Sequence, residues 1–226
     1  GLFGKVGRDY NGVYALRGKL LNTRNAKPIT IAANKVVEAI IKCLNLKHGL
    51  DYTNDENFKT LRYSRLVIVT DADVDGIHIC GLIQNLFHSL FPTLLARTPS
   101  FLTSMQTPIV RVYLGKKKEL LFYDEEEYRK YVRLMEGKKI DKKYYKGLAS
   151  SSSSDIRDTF GRKLIEYKLD DKANESMNKA FHTKFSDLRK QWLADYTPGN
   201  SVMNWKANEP EIKPLSISDF IDNELI

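Results

Sequence analysis

The chain of 226 residues is 42% hydrophobic and 28% charged, a balance that supports a real apolar core and excludes a disordered tail. Its most apolar stretch, Gly81–Leu95, is too short to span a bilayer and carries Gln84, Asn85 and His88, which excludes a transmembrane reading in favour of a buried helix. The formal net charge of +8 tilts the partner toward a polyanion without naming one.

In chain order, GLFGKVGRDYNGVYALRGKLLN is glycine-rich and basic and predicts an exposed loop leading into a short strand at Val13–Leu16. Gly1–Tyr10 lacks the apolar run behind a basic start that a signal peptide requires. After Pro28, the residues Ile29, Ala33, Val36, Val37, Ile40, Ile41 and Leu44 recur at helical spacing and predict an amphipathic helix. Asp51–Lys59 is a polar loop. Leu66–Thr70, reading LVIVT, is a β-branched run expected of a strand buried on both faces of a parallel sheet. A helix follows from about Gly76, so helix, strand, acidic turn and helix together predict an α/β sheet with crossover helices.

Past Pro99 the texture changes, dividing the chain into residues 1–98 and 99–226. Ile109–Leu114 and Leu120–Tyr123 predict a hairpin across the basic turn Gly115–Lys118, and Asp124 caps a charged helix through Met135. Lys142–Leu148 predicts another strand, and the serine run Ser150–Ser154 leads into a helix near Asp155. Ala173–Tyr196 reads as helical and Pro198–Pro214 as an irregular linker. Cys43 and Cys80 lack CxxC spacing and read as buried small hydrophobes in a reducing compartment, not as a zinc site or disulfide.

The sharpest feature is Thr70-Asp71-Ala72-Asp73-Val74-Asp75-Gly76, directly behind LVIVT. Ligands of open α/β sheets bind at the carboxyl edge of the strands. Three carboxylates at alternate positions there repel one another unless a cation lies between them, and such hard oxygen ligands suit Mg²⁺. A calcium-hand loop needs a glutamate at its twelfth position, where this chain has Leu82. A plain acidic helix start accounts for one aspartate and poorly for three.

Two basic glycine turns accompany it. Arg17-Gly18-Lys19, with Asn22 and Arg24 beyond, and Lys143-Tyr144-Tyr145-Lys146-Gly147 place cations where the backbone can approach phosphate oxygens. Singly each reads as a solvated basic patch; beside a metal-ready acidic turn they fit phosphoryl-transfer chemistry on a nucleic-acid backbone. His78 lies close behind the turn, whereas His48, His88 and His182 lack partners at ligand spacing.

These segments resemble the type IIA DNA topoisomerases nearly end to end. TDADVDGIHI (Thr70–Ile79) is similar to their Toprim acidic motif in its gyrase form. GRDYNGVYALRGKLLNTRNA (Gly7–Ala26) resembles the PLRGK-LNVR segment, with Ala15 replacing the usual proline. YYKGLASSSSSDIRDTF (Tyr144–Phe160) resembles the eukaryotic YYKGLGTS segment, with Ala149 replacing a glycine. FHTKFSDLRKQWLADYTPG (Phe181–Gly199) and ISDFIDNELI (Ile217–Ile226) also look eukaryotic, so the mixture suggests a viral or divergent protist source.

The resemblance implies a Toprim, Rossmann-like parallel sheet flanked by helices over residues 1–98, lacking its first strand and glutamate, with an α+β extension over residues 99–226. It implies an ATP-dependent enzyme that cleaves, passes and religates duplex DNA through a tyrosine–phosphate link. Asp71 and Asp73 would ligate Mg²⁺ and share catalysis with Lys146, and Asp75 would be a third or outer-shell acid. Arg17, Lys19, Asn22 and Lys146 would contact DNA, and His78 would support the site. The partners implied are double-stranded DNA, an ATP-binding domain, a winged helix with the catalytic tyrosine, and a second subunit in a homodimer; no membrane is implied. The location implied is the nucleus, or a cytoplasmic factory for a viral enzyme. Because the metal-binding glutamate and the tyrosine are not found in these residues, the chain alone is expected not to cut or relax DNA. The competing readings are a Toprim-type nuclease or primase, which would not carry RGKLLN, YYKGL and ISDFI in this order, and a noncatalytic DNA-binding module.

Overall fold

Pro28 opens helix α1 (Pro28–Ala32), where its missing N–H and fixed φ are tolerated. The helical spacing continues beyond it, but the chain does not. Asn34 is extended, and its side-chain oxygen accepts from the N–H groups of Val36 and Val37, starting a separate helix α2 (Lys35–Leu44). A capping residue inside the periodic run therefore replaces the one expected helix by two. Asn54 caps a short helix α3 (Asp55–Phe58) within the polar loop. The computed structural model describes residues 7, 9–115, 119–145, 152–196, 202, 203, 205 and 209–225.

Strand β1 (Leu66–Val69) feeds helix α4 (Val74–Leu90), then helix α5 (Pro92–Leu95), and returns as β2 (Leu102–Met105), parallel to β1 with Leu66 opposite Leu102. The expected strand–acidic turn–helix unit is thus present. β6 (Lys163–Lys168) joins β2 antiparallel, and β7 (Glu211–Ser216) joins β6 parallel, giving a mixed sheet in the order β1-β2-β6-β7. As an edge strand of that sheet, β1 is only half-buried apart from Ile68, not enclosed on both faces. β7 corrects the linker expected over Pro198–Pro214. Its Pro214, opposite Glu166, is tolerated because β7 is the other edge and needs no N–H there.

A second sheet, β4-β3-β5, is built from the predicted hairpin β3 (Val110–Tyr113) and β4 (Glu119–Phe122), with β5 (Asp141–Tyr144) on the far side of β3. Asp124 accepts from the Glu127 N–H and starts helix α6 (Glu125–Leu134), as expected. This sheet and α6 enclose a small core of Val110, Val112, Phe122 and Tyr128. The larger core gathers α4, α5, β2 and β6 with helix α8 (Ala173–Phe181) around Leu86, Phe87, Leu94, Phe101 and Tyr167. Each such fully buried apolar side chain contributes about 1.5–3 kcal/mol.

The helix expected over Ala173–Tyr196 divides into α8 and α9 (Ser186–Ala194), because His182 turns extended and its Nδ1 accepts from the Lys184 N–H. Val13–Leu16 does not form a strand; Val13 and Tyr14 are exposed and pair with no sheet edge. Cys80 is buried as expected, but Cys43 is exposed. Among the described residues, no helix is long and apolar enough to cross a membrane.

Candidate functional site

The acidic turn is shaped by the approach of α4 to the end of β1. A β-carbon on Gly76 would lie 2.1 Å from the Asp71 carbonyl oxygen and 3.1 Å from Thr70 Cβ, so only glycine lets the helix start this close. Asp73 is extended and caps α4, its Oδ1 accepting from the Gly76 N–H at 2.8 Å. That bond uses one carboxylate oxygen and leaves the other for a ligand. The positive end of the helix dipole lies in the same turn and favours an anion there. Asp71 is half-buried, while Asp73 and Asp75 are exposed.

Asp75 faces a different partner. Its Oδ1 lies 2.8 Å from Lys19 Nζ, and the hydrogen bond and charge of Lys19 hold its carboxyl below the usual carboxylate range. The basic segment and the acidic turn, separate signals in the sequence, therefore meet in the fold. His78, one turn along α4, is half-buried and stacks against Phe181 with 6.5 Å between ring centroids. Burial, and then the charge of Lys19, push its pKa down, which leaves the ring neutral near pH 7.

Among the described residues, no three His, Cys, Asp or Glu side chains converge into a metal cage. The three aspartates do not form the tight cluster that their alternation suggests, because one caps the helix and one pairs with a lysine. The donor set of Asp71 and Asp73 still fits Mg²⁺, which typically takes one or two carboxylates and completes its shell with water and substrate phosphate.

Arg17 and Lys19 are exposed on either side of Gly18, whose φ of +99° is a conformation that L side chains rarely adopt. Asn22, expected at DNA, is exposed and also bonds within the chain. Its Oδ1 accepts from the Arg24 N–H at 3.1 Å and from Asn85 Nδ2 at 3.0 Å, and its Nδ2 donates to the Phe181 carbonyl at 2.8 Å. Arg24 continues the seam, donating to Asn178 Oδ1 at 2.9 Å, to the Asn174 carbonyl at 3.2 Å and to His88 Nδ1 at 2.8 Å. Since arginine only donates, His88 must accept through a neutral ring. Asn25 pairs with His182 Nε2 and accepts from the Thr183 N–H. These polar contacts tie the basic segment to α4 and α8; sequence reasoning missed them, since partners so distant along the chain leave no local pattern.

Lys146 lies outside the described residues, as does the Gly147–Ser151 stretch. The residues flanking it converge on one buried carboxylate. Asp155, in helix α7 (Ser153–Thr159), accepts from Lys143 Nζ at 2.6 Å, Tyr145 OH at 2.8 Å and the Ser152 N–H at 2.8 Å. The Ser152 hydroxyl in turn accepts from the Asp155 N–H at 3.2 Å, a reciprocal capping pair. Arg111 Nη2 lies 3.3 Å away. Burial alone would raise the Asp155 carboxyl, but hydrogen bonds from Lys143, Ser152 and Tyr145 outweigh it and hold it well below the usual range. Lys143, part of the second basic turn, is thereby ion-paired with Asp155 while remaining partly exposed.

Comparison with known proteins places these features. Residues 2–100 match the model of the Toprim domain, and residues 105–226 match the C-terminal associated domain of TOPRIM. The chain is 36% identical to "DNA topoisomerase 2" of Invertebrate iridescent virus 6, covering 98% of this chain and 20% of that protein. It is 42% identical to "DNA topoisomerase 2" of Saccharomyces cerevisiae, covering 98% of this chain and 15% of that protein. The chain thus spans a fifth or less of the length of these relatives. In three dimensions it is similar to the Plasmodium falciparum topoisomerase II DNA-binding, cleavage and re-ligation domain, with a TM-score of 0.86, 34% identity and coverage of 99% of this chain and 30% of that one.

Proposed function

Because the chain belongs to the Toprim family and carries the C-terminal domain associated with it, we propose that it is the cation- and backbone-binding part of a type II DNA topoisomerase. In this reading the parent enzyme is an ATP-dependent homodimer that cleaves, passes and religates duplex DNA. Its ATP-binding domain and its winged helix with the nucleophilic tyrosine lie outside this chain. Residues 1–98 act as the Toprim domain and residues 99–226 as its extension, joined through the mixed sheet. The enzyme works in the nucleus, or in a cytoplasmic factory if it is viral.

The observation that carries the proposal is the 2.8 Å contact of Lys19 with Asp75, which brings a phosphate-reading segment to an acidic turn at a strand end. Asp71 and the free oxygen of Asp73 hold a divalent cation, Mg²⁺ in the cell. When bound, that ion supplies charge stabilisation to the scissile phosphate and the departing oxygen. The α4 N-terminus and the Arg17 and Lys19 cations draw the phosphodiester into the same place. Asn22 holds the basic segment to α4 and α8, and neutral His78 packs behind the turn. Lys146 contacts the DNA backbone or braces the acidic turn.

Calorimetric titration of Mg²⁺ into the chain bound to a nicked duplex tests this. The wild type binds the ion and Asp71→Ala/Asp73→Ala does not; equal binding by both would leave only a noncatalytic DNA-binding role. Purified alone, the chain leaves supercoiled plasmid unrelaxed.

A further inference from the structure

We propose that Asp75 serves Lys19 and not the metal ion: it is a positioning residue that holds the lysine ammonium beside the acidic turn, where a DNA phosphate meets it. This rests on the reading of Lys19 as a phosphate contact and of Asp71 and Asp73 as cation ligands. The three aspartates occupy different structural places. Asp71 follows the strand, Asp73 is the helix cap, and Asp75 is the second residue of α4, inside the helix. Its Oδ1 lies 2.8 Å from Lys19 Nζ. An ammonium at that distance repels a divalent cation and makes the carboxylate a poor ligand for one.

Lys19 is otherwise fixed only along its backbone. Gly18 turns the chain at φ +99°, Leu20 is buried, and Asn22 is bonded to the Phe181 carbonyl and to Asn85. The four-carbon lysine stem remains free to sample many rotamers, and ordering it on binding costs affinity. Asp75 lowers that cost by biasing the ammonium toward this place in advance. Both side chains of the pair are more than half exposed, at 52% and 68%, so the contact adds little to stability while staying open to an arriving phosphate.

The test is the salt dependence of duplex binding without divalent metal, joined to Mn²⁺ titration without DNA. Lys19→Gln lowers the slope of log K against log salt by about 0.9, the loss of one phosphate contact. Asp75→Asn lowers it by the same amount, although removing a negative charge by itself would strengthen DNA binding. The double variant loses no more than either single one, and Asp75→Glu restores the slope. Mn²⁺ binding stays unchanged in Asp75→Asn and weakens in Asp71→Asn by more than the roughly 10–100-fold typical of losing an outer-shell partner, because a direct ligand is lost. A wild-type slope in Asp75→Asn overturns the proposal, and so does Mn²⁺ binding weakened as in Asp71→Asn. If Lys19→Gln itself leaves the slope unchanged, or Asp71→Asn leaves Mn²⁺ binding unchanged, the reading underneath fails instead, a distinguishable result.

Discussion

Gly76 stands so close to Asp71 that a methyl group on it would lie 2.1 Å from the Asp71 carbonyl oxygen. The contact sets how α4 meets β1, and with it the geometry of the acidic turn. Gly76→Ala has a diagnostic sign. In an ordinary helix the change stabilises by about 1 kcal/mol through backbone entropy. Here the obstacle is backbone, which cannot rotate aside, so urea unfolding registers a loss of about 1–3 kcal/mol and Mg²⁺ binding weakens with it. A variant as stable as the wild type would show that the turn does not need the glycine.

Asp155 gives a second prediction, in the extension. It is buried and compensates Lys143, and in part Arg111, whose side chain is also buried. Asp155→Asn takes the counter-charge from Lys143 and one of three carboxylates from Arg111, which keeps Glu119 and Asp158, and costs about 1–3 kcal/mol at pH 7. The pH dependence follows from the lowered carboxyl pKa. Its stabilisation is fully present above the ordinary carboxylate pKa and is lost as acidification proceeds toward the lower folded value. Denaturant unfolding of the wild type therefore weakens below about pH 4, and the Asp155→Asn curve is flatter there.

Some of this architecture was readable from residues close together in the chain. LVIVT and TDADVDG announce a strand, a turn and a helix because β-branched runs and capping aspartates act locally, and Asp124 announces α6 in the same way. β6 was hidden because KLIEYK mixes charges into its alternation: Lys163 is buried, ion-paired with Glu211 3.3 Å away on β7. β2 was hidden by Thr103 and Ser104, both buried, with Ser104 Oγ 2.8 Å from Tyr167 OH. Asn34 interrupts a run whose helical spacing continues undisturbed. In the site itself, residue types single out Asp71, Asp73 and Lys19 as candidates, but only the fold brings Lys19 to Asp75 and Asn22 to Asn85 and the Phe181 carbonyl.

Arg24 and His88 supply a third prediction, on how the basic segment is held. Burial, then the Arg24 charge, keeps the His88 pKa low. A histidine with a lowered folded pKa contributes stability above its unfolded pKa and loses it as pH falls through the folded value. Arg24→Met removes the cation, so the His88 resonances titrate at higher pH in NMR. It also removes hydrogen bonds to α8 and destabilises the chain by about 1.5–3 kcal/mol. Arg24→Lys does not rescue, because one ammonium cannot reach His88, Asn174 and Asn178 together as the guanidinium fork does. An unchanged His88 titration would mean that the seam does not persist in solution.

Asp73 has two duties that one pair of substitutions separates. Its Oδ1 caps α4 through the Gly76 N–H, and its charge is proposed to hold the cation. Asparagine caps as well as aspartate but carries no charge, whereas alanine does neither. Asp73→Asn therefore keeps wild-type stability and loses Mg²⁺ affinity, while Asp73→Ala loses the affinity and about 0.5–2 kcal/mol of stability besides. Thermal melting with and without Mg²⁺ reads both quantities. The ion raises the wild-type melting temperature with the logarithm of its concentration above Kd and leaves both variants where they melt in chelator. If Asp73→Asn gained as much from Mg²⁺ as the wild type, Asp73 would be a helix cap only, and the cation would need its second carboxylate from elsewhere.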